Sequence, residues 1–321
     1  MQAMAENMHN ESDHSVLDAP RIRTVALDAG YSSVNLYDEV DSTTTRAREL
    51  LMDGTDPERE QLGELSVYAS LYQSAGRGRL ARAWTAPPGA CLAASIVVRP
   101  HASADPLARE LPEGSYHWMT LIAGLSVVDI WRSYGVDAAL KWPNDVIAQG
   151  AKGCGILAQL VPESGSTEGQ RSIIVGIGQN TNMSAEQLPV PTATSLSLCT
   201  GQVIDSSEVL ARLLGIFARR YRAFVRAGGD PERPHPPHPD PLNPQSISLL
   251  DQARASTATL GASVRMSLPD GSTVDGIAED LDAQGRILIR REDGTIEPYA
   301  VGDIEHLRPA NGSYGDFQQA H

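Results

Sequence analysis

The stretches GCGILAQLV, residues 153–161, and SIIVGIGQ, residues 172–179, decide the fold. Both are rich in aliphatic and β-branched residues. The polar segment between them, residues 162–171, suits the loop of a hairpin. Glycine recurs at alternate places in each run, at Gly153 and Gly155 and again at Gly176 and Gly178. Glycine inside a strand marks a place where a ligand or another backbone comes close. Pairing the two strands sets both glycine rows on one face of a pocket.

Chemistry-bearing residues cluster around this hairpin. Lys152 stands at the head of the first run, and Asn180 and Asn182 follow the second. Upstream, KWPND at residues 141–145 reads as a short strand (140–142) ended by a turn, with Asn144 and Asp145 at the strand terminus. Further upstream, QSAGRGRLARAW at residues 73–84 sets Arg77, Arg79 and Arg82 within six residues, with Gly76 just before them and Gly78 among them. Such a loop can hold phosphates or a carboxylate through backbone N–H groups and guanidinium forks. Each segment alone also has a bland reading: an exposed basic loop, an Asx turn, or a bulge beside a surface lysine. No P-loop pattern occurs.

The remaining periodicities complete an α+β chain. Asp41-Ser42-Thr43 leads into TTRARELLMDG, a capped helix stopped by Gly54. Residues 65–73 and 91–100 read as strands, residues 116–134 as a core helix, and residues 206–225 as an amphipathic helix capped by Ser. Residues 1–30 read as a tail with a short strand near 21–27. Residues 31–227 form the main domain and 228–257 a linker, seven prolines lying within 228–244. Residues 258–309 alternate in about five short strands, a small SH3-like barrel, and 310–321 read as a tail.

Bulk properties exclude several classes. A formal net charge of −14 disfavours non-specific contact with nucleic acid or anionic membrane. No apolar run is long enough to span a bilayer, and the acidic N-terminus lacks a secretory pattern, so a cytoplasmic location is expected. Three scattered cysteines support neither a disulfide framework nor a zinc site, and no protein-bound metal is expected. Of 26 basic residues only Lys141 and Lys152 are lysine. General drift to arginine explains the scarcity, yet drift spares positions where a planar fork cannot replace a compact ammonium.

The five segments in this order resemble the biotin–protein ligase family, also called holocarboxylase synthetase: Asp-Ser-Thr, a GRGR loop ending in Trp, KWPND, K-x-x-G-I-L, and G-I-G-x-N-x-N. The likeness covers roughly residues 31–309. It implies a mixed β-sheet flanked by helices, of the class II synthetase-like biotin/lipoate ligase type, with a C-terminal SH3-like barrel. It implies ATP-dependent activation of biotin to biotinyl-5′-AMP and transfer to a lysine of a biotin carboxyl carrier domain, with Mg²⁺ as counter-ion.

By the same resemblance, Ser42, Thr43, Thr44, Gln73, Gly76, Arg77, Gly78, Arg79, Lys152 and Gly155 would surround biotin. Arg79, Arg82, Trp84, Asn144, Lys152, Asn180 and Arg308 would face the nucleotide, with residues 189–196 as an adenine-side loop. Lys152, Arg77 and Arg79 would drive catalysis, and Asp145 would orient or deprotonate the acceptor amine. A lipoate ligase or octanoyltransferase shares this logic, but the GRGR loop, KWPND and the terminal barrel favour biotin. A biotin-sensing repressor is disfavoured, because about 30 polar residues replace the winged-helix domain and nucleic-acid binding is not expected. Family members are monomers or dimers, so a monomer or weak homodimer is expected.

Overall fold

The computed structural model describes residues 16–53, 55, 61–79, 82–164, 171–234, 247–300 and 302–306. The order is α1 (Ala19–Asp28), β1 (Ser33–Tyr37), α2 (Thr43–Met52), β2 (Leu65–Ser70), β3 (Cys91–Val98), α3 (Trp118–Ser133), β4 (Ala138–Lys141), β5 (Asp145–Ala148), β6 (Ala151–Pro162), β7 (Arg171–Asn180), α4 (Leu196–Thr200), α5 (Ser206–Arg226) and α6 (Leu249–Ser256). Five strands end the chain: β8 (Ser263–Ser267), β9 (Thr273–Leu281), β10 (Ile287–Arg290), β11 (Ile296–Tyr299) and β12 (Asp303–His306).

The first seven strands form one mixed sheet, ordered β1-β2-β3-β7-β6-β5-β4, in which only β1 and β2 run parallel. β6 and β7 pair antiparallel, as the hairpin reading expects. Alternation along the central strands divides the two faces. Leu92, Ala94, Ile96 and Val98 of β3 and Ile173, Val175 and Ile177 of β7 join the main core with α1, α3 and α5. On the other face Val97 and Ile174 pack under α2 through Ala47, Leu50 and Leu51. That second face then turns small, at Ala93 and Ser95 on β3 and at Gly176 and Gly178 on β7. A hollow opens where large side chains stop.

The last five strands form a separate antiparallel sheet, β11-β10-β9-β8-β12. Its β9–β10 turn is gripped by two buried indoles of the main sheet's side. Trp118 Nε1 donates to Ala283 O at 2.9 Å and Trp142 Nε1 to Gly285 O at 3.0 Å. Arg254 of α6 adds a bidentate pair to Asp280 of β9 at 2.7 and 2.8 Å.

Four expectations need correction. Residues 19–28 are a helix, not tail or strand. Asp18 caps it, Pro20 opens it, and Ile22 and Ala26 are fully buried. The segment assigned to a linker contains α6, capped by Ser248 and packed through Leu249, Leu250 and Ala253. The cap of α5 is Asp205, whose carboxylate accepts from Ser207 and Glu208 N–H, rather than a serine. Gly153 does not join the pocket row. A register shift between β5 and β6 puts it against the Trp131 ring. Gly54, residues 310–321, the first 15 residues, and residues 235–246 of the proline-rich stretch lie outside the described residues. Among the described residues no helix is long and apolar enough to cross a membrane.

Candidate active site

The hollow is a cavity of about 370 Å³. Gly155 on β6 and Gly178 on β7, directly paired, form its floor. α2 delivers Thr43 and Thr44 because Ser42 caps the helix, its hydroxyl accepting from Thr45 N–H. Gln73 Oε1 accepts from Thr43 N–H at 2.9 Å and from Thr43 Oγ1 at 3.2 Å. Thr44 meets the site of Gly176, where an added Cβ would lie 2.6 Å from Thr44 Oγ1. Ile156, Leu157 and Ala93 supply apolar wall. This half of the cavity is a greasy slot ending in hydroxyls and an amide.

The other half is ionic. The arginine loop folds back on itself: Gly78 N donates to Arg82 O at 2.8 Å and Trp84 N to Gly76 O at 2.9 Å. Arg77, Arg79 and Arg82 thereby line the cavity. Arg79 Nη1 donates to Asn144 Oδ1 at 2.8 Å and Nη2 to Gly302 O of the terminal module at 3.3 Å. Asn144 is itself held by Nδ2 donating to Ile156 O at 2.9 Å. Lys152 reaches across β5 to Asp145, with Nζ 2.7 Å from Oδ1. Its ammonium also stands over the Trp84 ring, 5.6 Å from the centroid.

Trp84 explains the glycine floor. A Cβ at Gly178 would lie 2.7 Å from Trp84 Cε2, and one at Gly155 3.0 Å from Cζ3. The indole is seated between that floor and Lys152, and its Nε1 donates to Cys91 Sγ at 3.2 Å. Burial pushes the Cys91 thiol up to about 12, against smaller opposing effects of the Trp84 hydrogen bond and the Gln179 backbone, so it stays protonated at neutral pH. The far rim is residues 189–193. Lys152 N–H donates to Thr192 O at 2.8 Å and Thr194 N–H to Lys152 O at 2.9 Å, fastening that loop to β6.

The cavity gathers most of the residues expected from sequence: Thr43, Thr44, Gln73, Arg77, Gly78, Arg79, Arg82, Trp84, Asn144, Asp145, Lys152, Gly155 and Asn180. Ser42 and Gly76 are not in its lining. Ser42 is the buried helix cap, and Gly76 is needed because a side chain there would run into the Trp84 carbonyl. Asn180 is at the wall, but its Nδ2 donates to Thr194 O at 2.9 Å, which makes it an anchor for the 189–193 loop. Lys141, the second lysine, does not line the cavity. Arg308 lies outside the described residues. Ser95 was missed, because a lone serine in an apolar strand has no periodic signature. Among the described residues Asp145 is the only carboxylate in the lining, and no group of three or more His, Cys, Asp or Glu could hold a metal ion.

A mixed sheet carrying a half-apolar, half-cationic slot, with a small β module locked to its side, defines a ligase catalytic domain of the biotin/lipoate type. Residues 39–180 match the biotin/lipoate A/B protein ligase family, and residues 259–307 match the biotin protein ligase C-terminal domain. The chain is 32% identical over 246 residues to the biotin–[acetyl-CoA-carboxylase] ligase of Mycobacterium tuberculosis, covering 75% of this chain and 79% of that one. It is 31% identical over 274 residues to the bifunctional ligase/repressor BirA of Bacillus subtilis, covering 84% and 73%. The fold superposes on a biotin protein ligase from Aquifex aeolicus, solved with biotin and ATP, with TM-score 0.63 and 24% identity over 87% of this chain and 100% of that one. The chain belongs to the biotin protein ligase family.

Proposed function

We propose that the chain activates biotin with ATP and transfers it to a lysine of a carrier domain of a biotin-dependent carboxylase. The observation that carries this is the polarity of this cavity, with hydroxyls and an amide at one end of a glycine floor and Lys152, Arg77, Arg79 and Arg82 at the other. Lys152 Nζ lies 3.2 Å from where a Cβ at Gly155 would stand, and Leu157 is two residues further along β6, about 7 Å at the rise of a strand. That span suits an acid whose polar ring and carboxylate lie at opposite ends of a short alkyl chain.

In the first step a carboxylate oxygen of biotin attacks the α-phosphorus of ATP, and the bond to the bridging oxygen breaks to release pyrophosphate. Two anions meet, so positive charge must already be in place. Lys152 sits where its ammonium can exchange Asp145 for the carboxylate and phosphate oxygens, a position a planar fork would not fill. Arg77, Arg79 and Arg82 complete the field, and Trp84 with residues 189–193 walls the nucleotide. The loop fold shields the mixed anhydride from water. In the second step the neutral ε-amine of the acceptor attacks the biotinyl carbonyl and AMP leaves. Asp145, released from Lys152, takes the amine proton or orients it. Magnesium would arrive with the nucleotide's phosphates, because the described lining residues include a single carboxylate.

The test is transfer of labelled biotin to a purified carrier domain. Labelling that requires ATP, with biotin-dependent ATP–pyrophosphate exchange, is the expected result. Exchange driven by lipoate or octanoate and not by biotin would overturn the reading.

A further inference from the structure

Ser95 lies one layer beneath the cavity on β3, with no exposed surface. Its hydroxyl is 2.8 Å from Thr43 Oγ1 and 2.9 Å from Thr44 Oγ1. Thr43 Oγ1 lies 3.2 Å from Gln73 Oε1, which also accepts the Thr43 backbone N–H at 2.9 Å. That backbone bond fixes which end of the Gln73 amide faces the helix, since an N–H must meet oxygen. An amide oxygen has no proton to give, so Thr43 donates to it. The opposite order would set the lone pairs of two oxygens against each other.

Each hydroxyl carries one proton. Thr43, having donated to Gln73, must accept from Ser95. Ser95 must then accept from Thr44. The protons therefore run one way, from Thr44 through Ser95 and Thr43 to Gln73. We infer that Ser95 is a positioning residue that sets ring specificity. By relaying this order it leaves Thr43 and Thr44, both at the cavity wall, presenting lone pairs and no protons to the ligand.

A wall of acceptors takes N–H donors. A cyclic urea offers two, whereas a dithiolane or a saturated acyl tail offers none and would strand desolvated oxygens. The inference rests on the biotin reading and adds to it the buried group that makes the slot select for N–H.

The experiment is calorimetric titration of the full chain with biotin and with biotin methylated on a ureido nitrogen. It compares the native protein, Ser95→Ala, and Ser95→Thr, which keeps the hydroxyl. Ser95→Ala is expected to weaken biotin binding about tenfold, the size of one well-placed hydrogen bond, while weakening the methylated analogue less than about threefold. Ser95→Thr should restore the preference. Native-like binding of biotin by Ser95→Ala, or equal loss for both ligands, would overturn the inference. Should Ser95→Ala not fold, Thr44→Val ends the relay at its outer member. The same selective loss is then expected, and equal loss refutes the relay. A native chain that binds no biotin overturns the functional reading and this inference with it. A native chain that binds biotin, beside an unselective Ser95→Ala, overturns this inference alone.

Discussion

Adding one methyl group to the cavity floor tests the seating of Trp84. In Gly178→Ala the new carbon would lie 2.7, 2.9 and 3.0 Å from Cε2, Nε1 and Cζ2 of the indole. Carbon atoms pack at about 3.5–4.0 Å, so the ring must rise by about 1 Å. A shift of that size pulls Nε1 away from Cys91 Sγ, now 3.2 Å distant. Overpacking of this kind costs about 1–3 kcal/mol. Because Trp84 belongs to the wall assigned to the nucleotide, that cost should appear as a rise in the KM for ATP of about 5- to 150-fold. Gly155→Ala should be milder, since its nearest atoms stand at 3.0–3.2 Å and two of the three belong to the flexible end of Lys152. Biotin-dependent pyrophosphate exchange measures the KM. Acrylamide quenching reports the ring, because Trp84 is half-buried whereas Trp118, Trp131 and Trp142 are buried. An unchanged KM and unchanged quenching in Gly178→Ala, or a larger effect from Gly155→Ala, would refute the reasoning.

Three further outcomes are expected. Asp145→Asn should keep pyrophosphate exchange within severalfold of native while slowing transfer to the carrier by about 10²–10⁴, the range of general-base effects, as single-turnover measurements of each half-reaction would show. Trp142→Phe deletes the indole donor to Gly285 O; it should cost about 1–3 kcal/mol through the orphaned carbonyl and lower the thermal midpoint by several degrees. Glu163, although burial pushes its pKa upward, is held below the usual carboxylate range by hydrogen bonds from Arg99 and Ser172 and the charges of Arg99 and His101. A depressed carboxylate stabilises the fold above its unfolded pKa of about 4.3 and loses that contribution as pH falls through the folded value. Burial lowers the pKa of His101, so its protonation as pH falls also removes stability. Urea titrations of Glu163→Gln from pH 6 to 3 should accordingly show a flatter acid limb than native protein.

Much of the site was legible because its residues belong to short runs with a local rule. The capped start of α2, the glycine-bearing hairpin, and the turn at 143–145 each declare themselves within a few residues, and folding brings them together. What was not legible depends on partners far along the chain. Ser95 acquires its role from Thr43 and Thr44, more than fifty residues away. The glycines at 155 and 178 invited a ligand, but the group lying on them is Trp84. Asn180 lines the cavity, but that its Nδ2 also holds the Thr194 carbonyl was not visible in the sequence. α1 was hidden by the alternation of Ile22, Thr24 and Ala26 with charged and apolar neighbours; Asp18 ahead of Pro20 was the signal that reveals a helix start. α6 was hidden by the prolines before it, although Ser248 followed by Asp251 marks its cap.

The central claim is that Lys152 and the arginine loop draw two anions together in the cavity beside Trp84. A crystal structure of the chain with a non-hydrolysable biotinyl-5′-AMP analogue tests it most directly. Lys152 Nζ should have left Asp145 for the carboxyl and phosphate oxygens, with the ureido ring against Thr43 and Thr44. A ligand bound elsewhere, or Lys152 still paired with Asp145 and out of reach of the phosphate, would contradict the account.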